Sequence, residues 1–444
     1  MNFDRLRALL FQQAMRGQLV PQFDEEKSVN IMPIVTSDVP HELPRKWVWV
    51  RSDEILEFIR GVTFPASAKR SALSEGIVRC LTTGSVQKRH NLAADVFVPS
   101  TYVKKDRQYL KKNDVVISSA NSKELVGKSI IWKGGEPRVS FGGFLTVARV
   151  KKDEINPIFV YYFFQFLFES RYFANLSTQT TNIANLSNAL LSSVLFPLPP
   201  IEEQERIVAK LEEAFAEIDR AEKAYEELQT LAGVLRGQIL QEAIQGKLVP
   251  QMAEEGVVEQ IGAASEEVPF EIPESWRWVT LASVGKTHTG ATPSTSKKEY
   301  FGSDIPFVKP GDIDHCLLTY REDGLSTAAY EVARLVPEKT LLMVCIGGSI
   351  GKVALCDREV SFNQQINAIV CNEELALPEY LFVIMRSPYF QDEVWRNATG
   401  TATPIINKSR WGKIWIPLPS TKEQVRIVAK VEDLMKQVDA LSTR

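Results

Sequence analysis

Apolar positions after Pro199-Pro200 recur at three-and-four spacing: Leu211, Phe215, Ile218, Ala221, Tyr225, Leu228, Ala232, Leu235, Ile239 and Ala243. That is the stripe of an amphipathic, coiled-coil-like helix. The prolines favour its start. Glu202, Glu203 and Glu205 suit the positive end of its dipole, and Gly246 with Pro250 supplies the stop. About 45 residues at ~1.5 Å each predict a rod of roughly 65–70 Å, with a bend favoured at Gly233 and Gly237. The run Phe159–Phe168, interrupted by Gln165, is too short to span a bilayer and predicts a buried core segment. Trp47, Trp49, Trp276 and Trp278 recur at period two and predict entering strands pinned to the rod.

The same helix is present twice, once intact and once in pieces. LRALLFQQAMRGQLVPQ (6–22) matches LRGQILQEAIQGKLVPQ (235–251), and VPHELPRKWVWV (39–50) matches VPFEIPESWRWV (268–279), both at an offset of 229. FPLPPIEEQERIVAKLEEAFAEID (196–219) matches IPLPSTKEQVRIVAKVEDLMKQVD (416–439) at an offset of 220. The stretches between, 51–195 and 280–415, are far less alike. A lone helix would expose its stripe, and the two terminal segments together copy it. This predicts a composite second helix, packed antiparallel and nicked where Met1 and Arg444 meet, with one variable domain at each end. The simpler alternative is a duplicated domain joined by a charged linker. The expected fold class is α+β: two mixed domains on a two-helix, coiled-coil-like spacer with pseudo-twofold organisation. Its parts are the N-terminal helix 1–22, a first domain 23–198, the spacer 199–250, a second domain 251–418 and the C-terminal helix 419–444.

Charge is unevenly distributed although its total is only −3. Residues 51–196 carry 20 Lys+Arg against 12 Asp+Glu, and residues 197–279 carry 7 against 18. Phosphates therefore suit the first domain better than the rod. The five cysteines are scattered and never spaced CxxC, as expected of reduced thiols in a cytoplasm. The start, MNFDRLRALL, does not look like a signal peptide.

Catalytic motifs fail one by one. A methyltransferase needs a glycine-rich cofactor loop and an NPPY-type tetrapeptide, but Pro199-Pro200 is followed by Ile201. A nuclease needs a PD…ExK site, and no proline here precedes an aspartate. Gly127-Lys128-Ser129 and Gly351-Lys352 lack the leading glycine of a phosphate loop, having Ser122 and Ile346 there. Each GK pair suits either one DNA phosphate or a plain turn between strands. His41, His90, His288 and His315 share no metal-ligand spacing.

The repeated helix starts and ends, together with two unlike inserts, resemble the specificity subunits of type I restriction–modification systems. In the second insert, TGATPSTSKKEYFGSDIPFVKPGDI (289–313), GSIGK (348–352), SFNQQINAI (361–369) and ATPIINKSRW (402–411) look like the family's target-recognition pattern. The first insert is looser: RGVTF (60–64), IVR (77–79), ELVGKS (124–129) and SFGGF (140–144), with Gly142-Gly143 near the NQQ position. The resemblance implies a subunit without catalysis, each domain reading half of a split, asymmetric target in double-stranded DNA. It implies two methyltransferase subunits as partners, with restriction–translocase subunits added. S-adenosylmethionine, ATP and Mg²⁺ would then belong to those partners, and this chain would hold no cofactor or metal. A coiled-coil protein scaffold and a stand-alone two-headed DNA-binding regulator are the alternatives.

Lysines mainly hold phosphate, whereas Arg, Asn and Gln offer the paired donors and acceptors that read bases. In the first domain the candidates are Arg79 and Arg89 as readers, with Lys88, Lys104, Lys105, Arg107 and Lys128 as holders. In the second they are Lys309, Asp312, Asn363, Gln364, Gln365 and Arg410, with Lys297, Lys298, Lys352 and Lys408 beside them. Arg79 and Lys309 each follow an apolar strand-like run and are expected at matching places. Asn363 to Gln365 suit a hydrogen-bonded turn as well as base contact. Phe64, Tyr300, Phe301 and Trp411 have rings able to stack on bases, with core packing favoured for Phe301 and Trp411.

Overall fold

The structure, a computed structural model, describes residues 2–34, 39–136, 138–180, 183–262, 268–400 and 402–442. The chain divides into two units, Met1–Ala224 and Tyr225–Arg444. The helices that bear on the frame and the tips are α1 (Phe3–Met15), α2 (Pro157–Glu169), α3 (Ile201–Ile244), α4 (Pro378–Arg386), α5 (Pro388–Asn397), α6 (Lys408–Gly412) and α7 (Thr421–Ser442). The expected spacer helix is α3. Its 44 residues form one element through Gly233 and Gly237 and stop just before Gly246, whose φ is +69°. Its first half belongs to unit 1 and its second half to unit 2.

In unit 1, α1 sets Phe11, Ala14 and Met15 inward at helical spacing. Phe11 meets Phe215 of α3 and Tyr162 of α2 at ring separations of 5.0 and 6.1 Å. The greasy run is the core helix α2, capped by the Asn156 side chain, which accepts from the Ile158 and Phe159 N–H groups. It buries Phe159, Val160, Phe163, Phe164 and Leu167. In unit 2, α7 buries Ile427, Val431 and Val438 in a cluster with Ala232, Ile239, Leu240 and Ala243 of α3. The stripe of α3 is unevenly covered. Leu211, Ala232, Ile239 and Ala243 are buried, while Leu228 and Leu235 stay exposed, as do the neighbouring Leu231 and Val234 outside the stripe. The expected junction of the chain ends involves Met1 and Arg444, which lie outside the described residues.

Each unit carries a four-stranded antiparallel sheet. The main strands of unit 1 are β1 (Val48–Arg51), β2 (Leu56–Arg60), β3 (Ile77–Leu81), β4 (Val96–Pro99), β5 (Val115–Ser118), β6 (Ser129–Ile131), β7 (Ser140–Phe141), β8 (Leu145–Val150) and β9 (Leu195–Leu198). The main strands of unit 2 are β10 (Arg277–Thr280), β11 (Gly285–Thr289), β12 (Phe307–Val308), β13 (Leu335–Val336), β14 (Leu341–Val344), β15 (Val353–Leu355), β16 (Val360–Phe362), β17 (Ile366–Cys371) and β18 (Trp415–Leu418). The sheet orders are β2-β8-β5-β6 and β11-β17-β14-β15. The strand entering each domain pairs with the strand leaving it, β1 with β9 and β10 with β18. A smaller sheet in each unit has a parallel pair, β3 with β7 and β12 with β16. Its third strand differs, since β4 flanks β3 in unit 1 and β13 flanks β16 in unit 2.

Candidate nucleic-acid interface

Both inserts are rooted in the same frame by matching pairs of residues. The Trp47 indole N–H donates to Glu203 and the Trp276 indole N–H to Glu423, each at 2.9 Å in a buried setting. Arg206 pairs with Glu26, and Arg426 with Glu255. Arg7 pairs with Asp219 at 2.7 Å, and Arg236 with Asp439 at 2.6 Å. Gln204 accepts the Asn156 N–H while donating to the carbonyls of Glu154 and Pro199. Gln424 does the same with Leu377, Leu375 and Pro419. Burial pushes the Glu203 and Glu423 carboxyls above the usual carboxylate range, against the pull of the indole hydrogen bonds. The pinning role expected of the tryptophans therefore falls to Trp47 and Trp276. Trp49 donates to the His41 carbonyl instead, and Trp278 packs against Phe270 and Tyr389.

Sheet topology then carries the insert motifs to one end. In unit 2 the C-terminal ends of β11 and β14 lie beside the N-terminal ends of β17 and β15. The segments Thr289–Ser296, Cys345–Gly351 and Asn363–Gln365 leave from that end. Pro404–Ile406 joins them: the Gly347 N–H donates to the Pro404 carbonyl and the Ile406 N–H to the Cys345 carbonyl. Thr292 donates to Gln364 at 2.7 Å. Unit 1 gathers RGVTF, ELVGKS and SFGGF at the corresponding end. Hydrogen bonds fix the correspondence. Gly61 and Val62 donate to the carbonyls of Leu145 and Phe141, as Gly290 and Ala291 do to those of Ile366 and Phe362. Gly142-Gly143-Phe144 thus stands where unit 2 has Asn363-Gln364-Gln365.

The two GK pairs are hairpin turns, β5 to β6 and β14 to β15. Gly127 and Gly351 both have φ near +89°, and a Cβ there would collide with Phe173 or Gln391. Lys128 donates to Gln87 at 2.8 Å, and partial burial lowers its pKa. Lys352 bonds Asp314 at 3.0 Å and holds that carboxyl below its usual range.

Several reader candidates are engaged internally. Arg79 sits in β3 with its guanidinium 3.2 Å from Glu136 and 3.9 Å from Asp95, over the Phe97 ring. It lines a cleft of about 850 Å³ with the exposed Lys88 and Arg89. Lys309 is not its counterpart. Strand register pairs Leu81 with Phe141 and Val308 with Phe362. Lys309 therefore corresponds to Thr82, each donating its N–H at 2.8 Å to the cap three residues on, Asp312 or Ser85. Asp312 is buried, accepts that cap bond and pairs with Arg321. Lys309 itself reaches Asp323 at 3.2 Å.

Arg107 pairs with Glu57. Lys104 and Lys105 are exposed, and both backbone N–H groups donate to Gln108, whose side chain donates to the Arg60 carbonyl at the loop end of β2. Lys297 donates to Tyr300 at 3.2 Å beside the exposed Lys298. Lys408 and Arg410 are exposed on α6, with Arg410 3.5 Å from the Asn397 carbonyl. Asn363 donates to Gln365 and accepts its N–H, so the NQQ segment is a hydrogen-bonded turn, with Gln364 exposed. Trp411 is core, whereas Phe301 is 37% exposed rather than buried.

Sequence reasoning missed Phe144, which is 62% exposed at the loop end of unit 1. Its signal was present: an aromatic residue aligned with the third position of NQQ.

One frame built twice, presenting two unlike loop ends, defines a duplicated two-headed recognition protein. Among the described residues no His/Cys/Asp/Glu group is arranged to hold a metal. Residues 44–230 and 273–444 match the family described as "Type I restriction modification DNA specificity domain", and the chain belongs to that family. It is 25% identical over 414 residues to the type I restriction enzyme EcoKI specificity subunit of Escherichia coli (strain K12), covering 90% of this chain and 84% of that one. It is 34% identical over 166 residues to the HindI specificity subunit of Haemophilus influenzae, covering 36% and 35%. A chain from a structure titled for complex assembly and conformational transition of the type I R-M system superimposes with a TM-score of 0.69 at 18% identity, over 91% of this chain and 94% of that one. The HsdS subunit from Thermoanaerobacter tengcongensis gives 0.55 at 20% identity, over 91% and 93%. The expected fold and the DNA-recognition role in a type I system are both borne out.

Proposed function

We propose that the chain reads a split DNA target, each unit contacting one half through the loop end of its four-stranded sheet. The observation that carries this is the repeated frame holding unlike tips, carboxamides in unit 2 and a ring with hydroxyls in unit 1. Asn and Gln side chains suit adenine edges, while Lys104, Lys105 and Lys88 provide the salt-sensitive contacts to phosphate. The chain performs no chemistry itself. Two methyltransferase subunits and the restriction–translocase subunits carry S-adenosylmethionine, ATP and Mg²⁺, and the complex works in the cytoplasm. Exposed apolar positions support docking of partners: Leu6 and Leu9 beside Ala214 and Ile218 in unit 1, and Leu228, Leu231 and Leu235 in unit 2. Among the described residues no helix is long and apolar enough to cross a membrane.

The test is to co-express the chain with a methyltransferase of the same system and map methylated adenines in the host DNA. The expected map is one asymmetric, bipartite motif that disappears without this chain. A continuous motif, or methylation unchanged by its removal, would contradict the reading. So would methyl transfer or ATP hydrolysis by the purified chain alone.

A further inference from the structure

We propose that Phe144 is a specificity-determining residue of unit 1, and that it meets the methyl group of a thymine in the major groove. The inference rests on the DNA reading above and assigns the chemistry of one contact within it. The Phe144 carbonyl accepts three hydrogen bonds, from the Ser119 N–H at 2.9 Å, the Ser119 hydroxyl at 3.1 Å and the Ala120 N–H at 3.2 Å. Its backbone is therefore clamped to the end of β5. The ring is nevertheless 62% exposed. A large apolar side chain left in water contributes little to folding, since its surface is not removed from solvent.

The surroundings indicate what it meets. Phe144 lines a cleft of about 420 Å³ together with Phe64, Thr63 and Thr82, and the exposed Arg60 and Lys69 line the same cleft. Cations suit phosphates, hydroxyls suit polar base edges, and a fixed ring suits an apolar one. Thymine alone among the four bases presents a methyl group in the major groove, and apolar side chains such as Phe contact it. Unit 2 makes the contrast. The same backbone position there is Gln365, whose carbonyl accepts from the Cys345 N–H at 2.7 Å. Equivalent backbone positions, each held by the N–H that follows the central strand, thus carry a carboxamide in one unit and a phenyl ring in the other.

The experiment uses the full chain assembled with its methyltransferase, on duplexes containing the mapped target. Each thymine in the half-site of unit 1 is replaced in turn by deoxyuridine, which removes only the methyl group. Binding is titrated for the parent complex, Phe144→Ala and Phe144→Leu. One deoxyuridine position should weaken the parent about fourfold, as expected for one buried methyl. Phe144→Ala should lose roughly tenfold on the thymine duplex and become indifferent to deoxyuridine at that position. Phe144→Leu, still apolar, should keep the preference. If Phe144→Ala retains full discrimination, or no deoxyuridine affects the parent, the proposal is overturned while the DNA reading stands. If the ring's loss weakens all duplexes alike, it stacks or packs instead and the proposal is again overturned. A parent complex with no sequence-specific binding would overturn both.

Discussion

Units 1 and 2 are most alike where they meet the long helix and least alike at the far end of their sheets. At the root, single contacts repeat: Trp47–Glu203 with Trp276–Glu423, Arg206–Glu26 with Arg426–Glu255, and Arg7–Asp219 with Arg236–Asp439. At the tip, equivalent backbone positions hold Phe144 in one unit and Gln365 in the other. The side of the parallel pair on which the third small strand lies also changes. The tryptophan–glutamate and Arg206/Arg426 pairs tolerate little variation, because breaking one leaves a buried carboxylate unsatisfied. Exposed groups at loop ends carry no such penalty and are free to differ. Specificity can therefore change without disturbing the frame.

The largest expected effect comes from removing a root. Trp47→Ala and Trp276→Ala should each destabilise the unit that contains it by about 3–5 kcal/mol, the usual range for deleting a buried tryptophan. Urea unfolding followed by hydrogen exchange would assign each loss to its unit. Unequal losses, with one variant near wild type, would break the equivalence of the frames.

Next in size is the pH response of the buried carboxyls. Glu203 and Glu423 have pKa values raised by burial above 4.5, so the folded state holds their protons more tightly than the unfolded chain does. Their contribution should make stability fall as pH rises from about 4.5 through the raised values, and level off above them. Glu203→Gln keeps an acceptor for Trp47 and removes the charge. Thermal unfolding across that window should show a flatter profile for Glu203→Gln and the same flattening for Glu423→Gln. A steeper profile, or no change, would contradict the sign.

Smaller effects separate the tip from its surroundings. Arg79→Ala should cost unit 1 about 1–3 kcal/mol, through loss of the guanidinium charge that faces the buried Asp95 carboxylate. It should leave base preference in both half-sites unchanged. Lys104→Ala and Lys105→Ala should leave stability unchanged. Each should lower the salt dependence of DNA binding by roughly one unit of slope, the share of a single neutralised phosphate. Binding titrations at several salt concentrations distinguish the two behaviours. Altered base preference in any of the three variants would redraw the boundary of the tip.

The long helix, the split repeat and the alignment of Gly142-Gly143 with the NQQ turn were all legible in the sequence. Each depends on periodicity or identity within a short window. The partners of Arg79 and Asp312 were not legible, because Glu136 and Arg321 reach them from other segments brought near only by folding. The same reason explains the mistaken matching of Arg79 with Lys309. Both follow apolar runs, but strand register decides equivalence, and it assigns Lys309 to Thr82. Phe144 escaped notice because an aromatic residue beside apolar Leu145 reads as core; its alignment with the third position of NQQ was the available signal, and its exposure places it at the tip.

The most direct test of the two-headed reading is to map methylation by the assembled complex carrying Gln364→Ala. Gln364 is exposed at the tip of unit 2, where its side chain accepts a hydrogen bond from the Thr292 hydroxyl. The expected map keeps the bipartite motif, relaxes preference at one or more positions in one half and leaves the other half unchanged. Relaxation in both halves, or a map identical to that of the parent, would contradict the claim that each unit reads its own half through the loop end of its sheet.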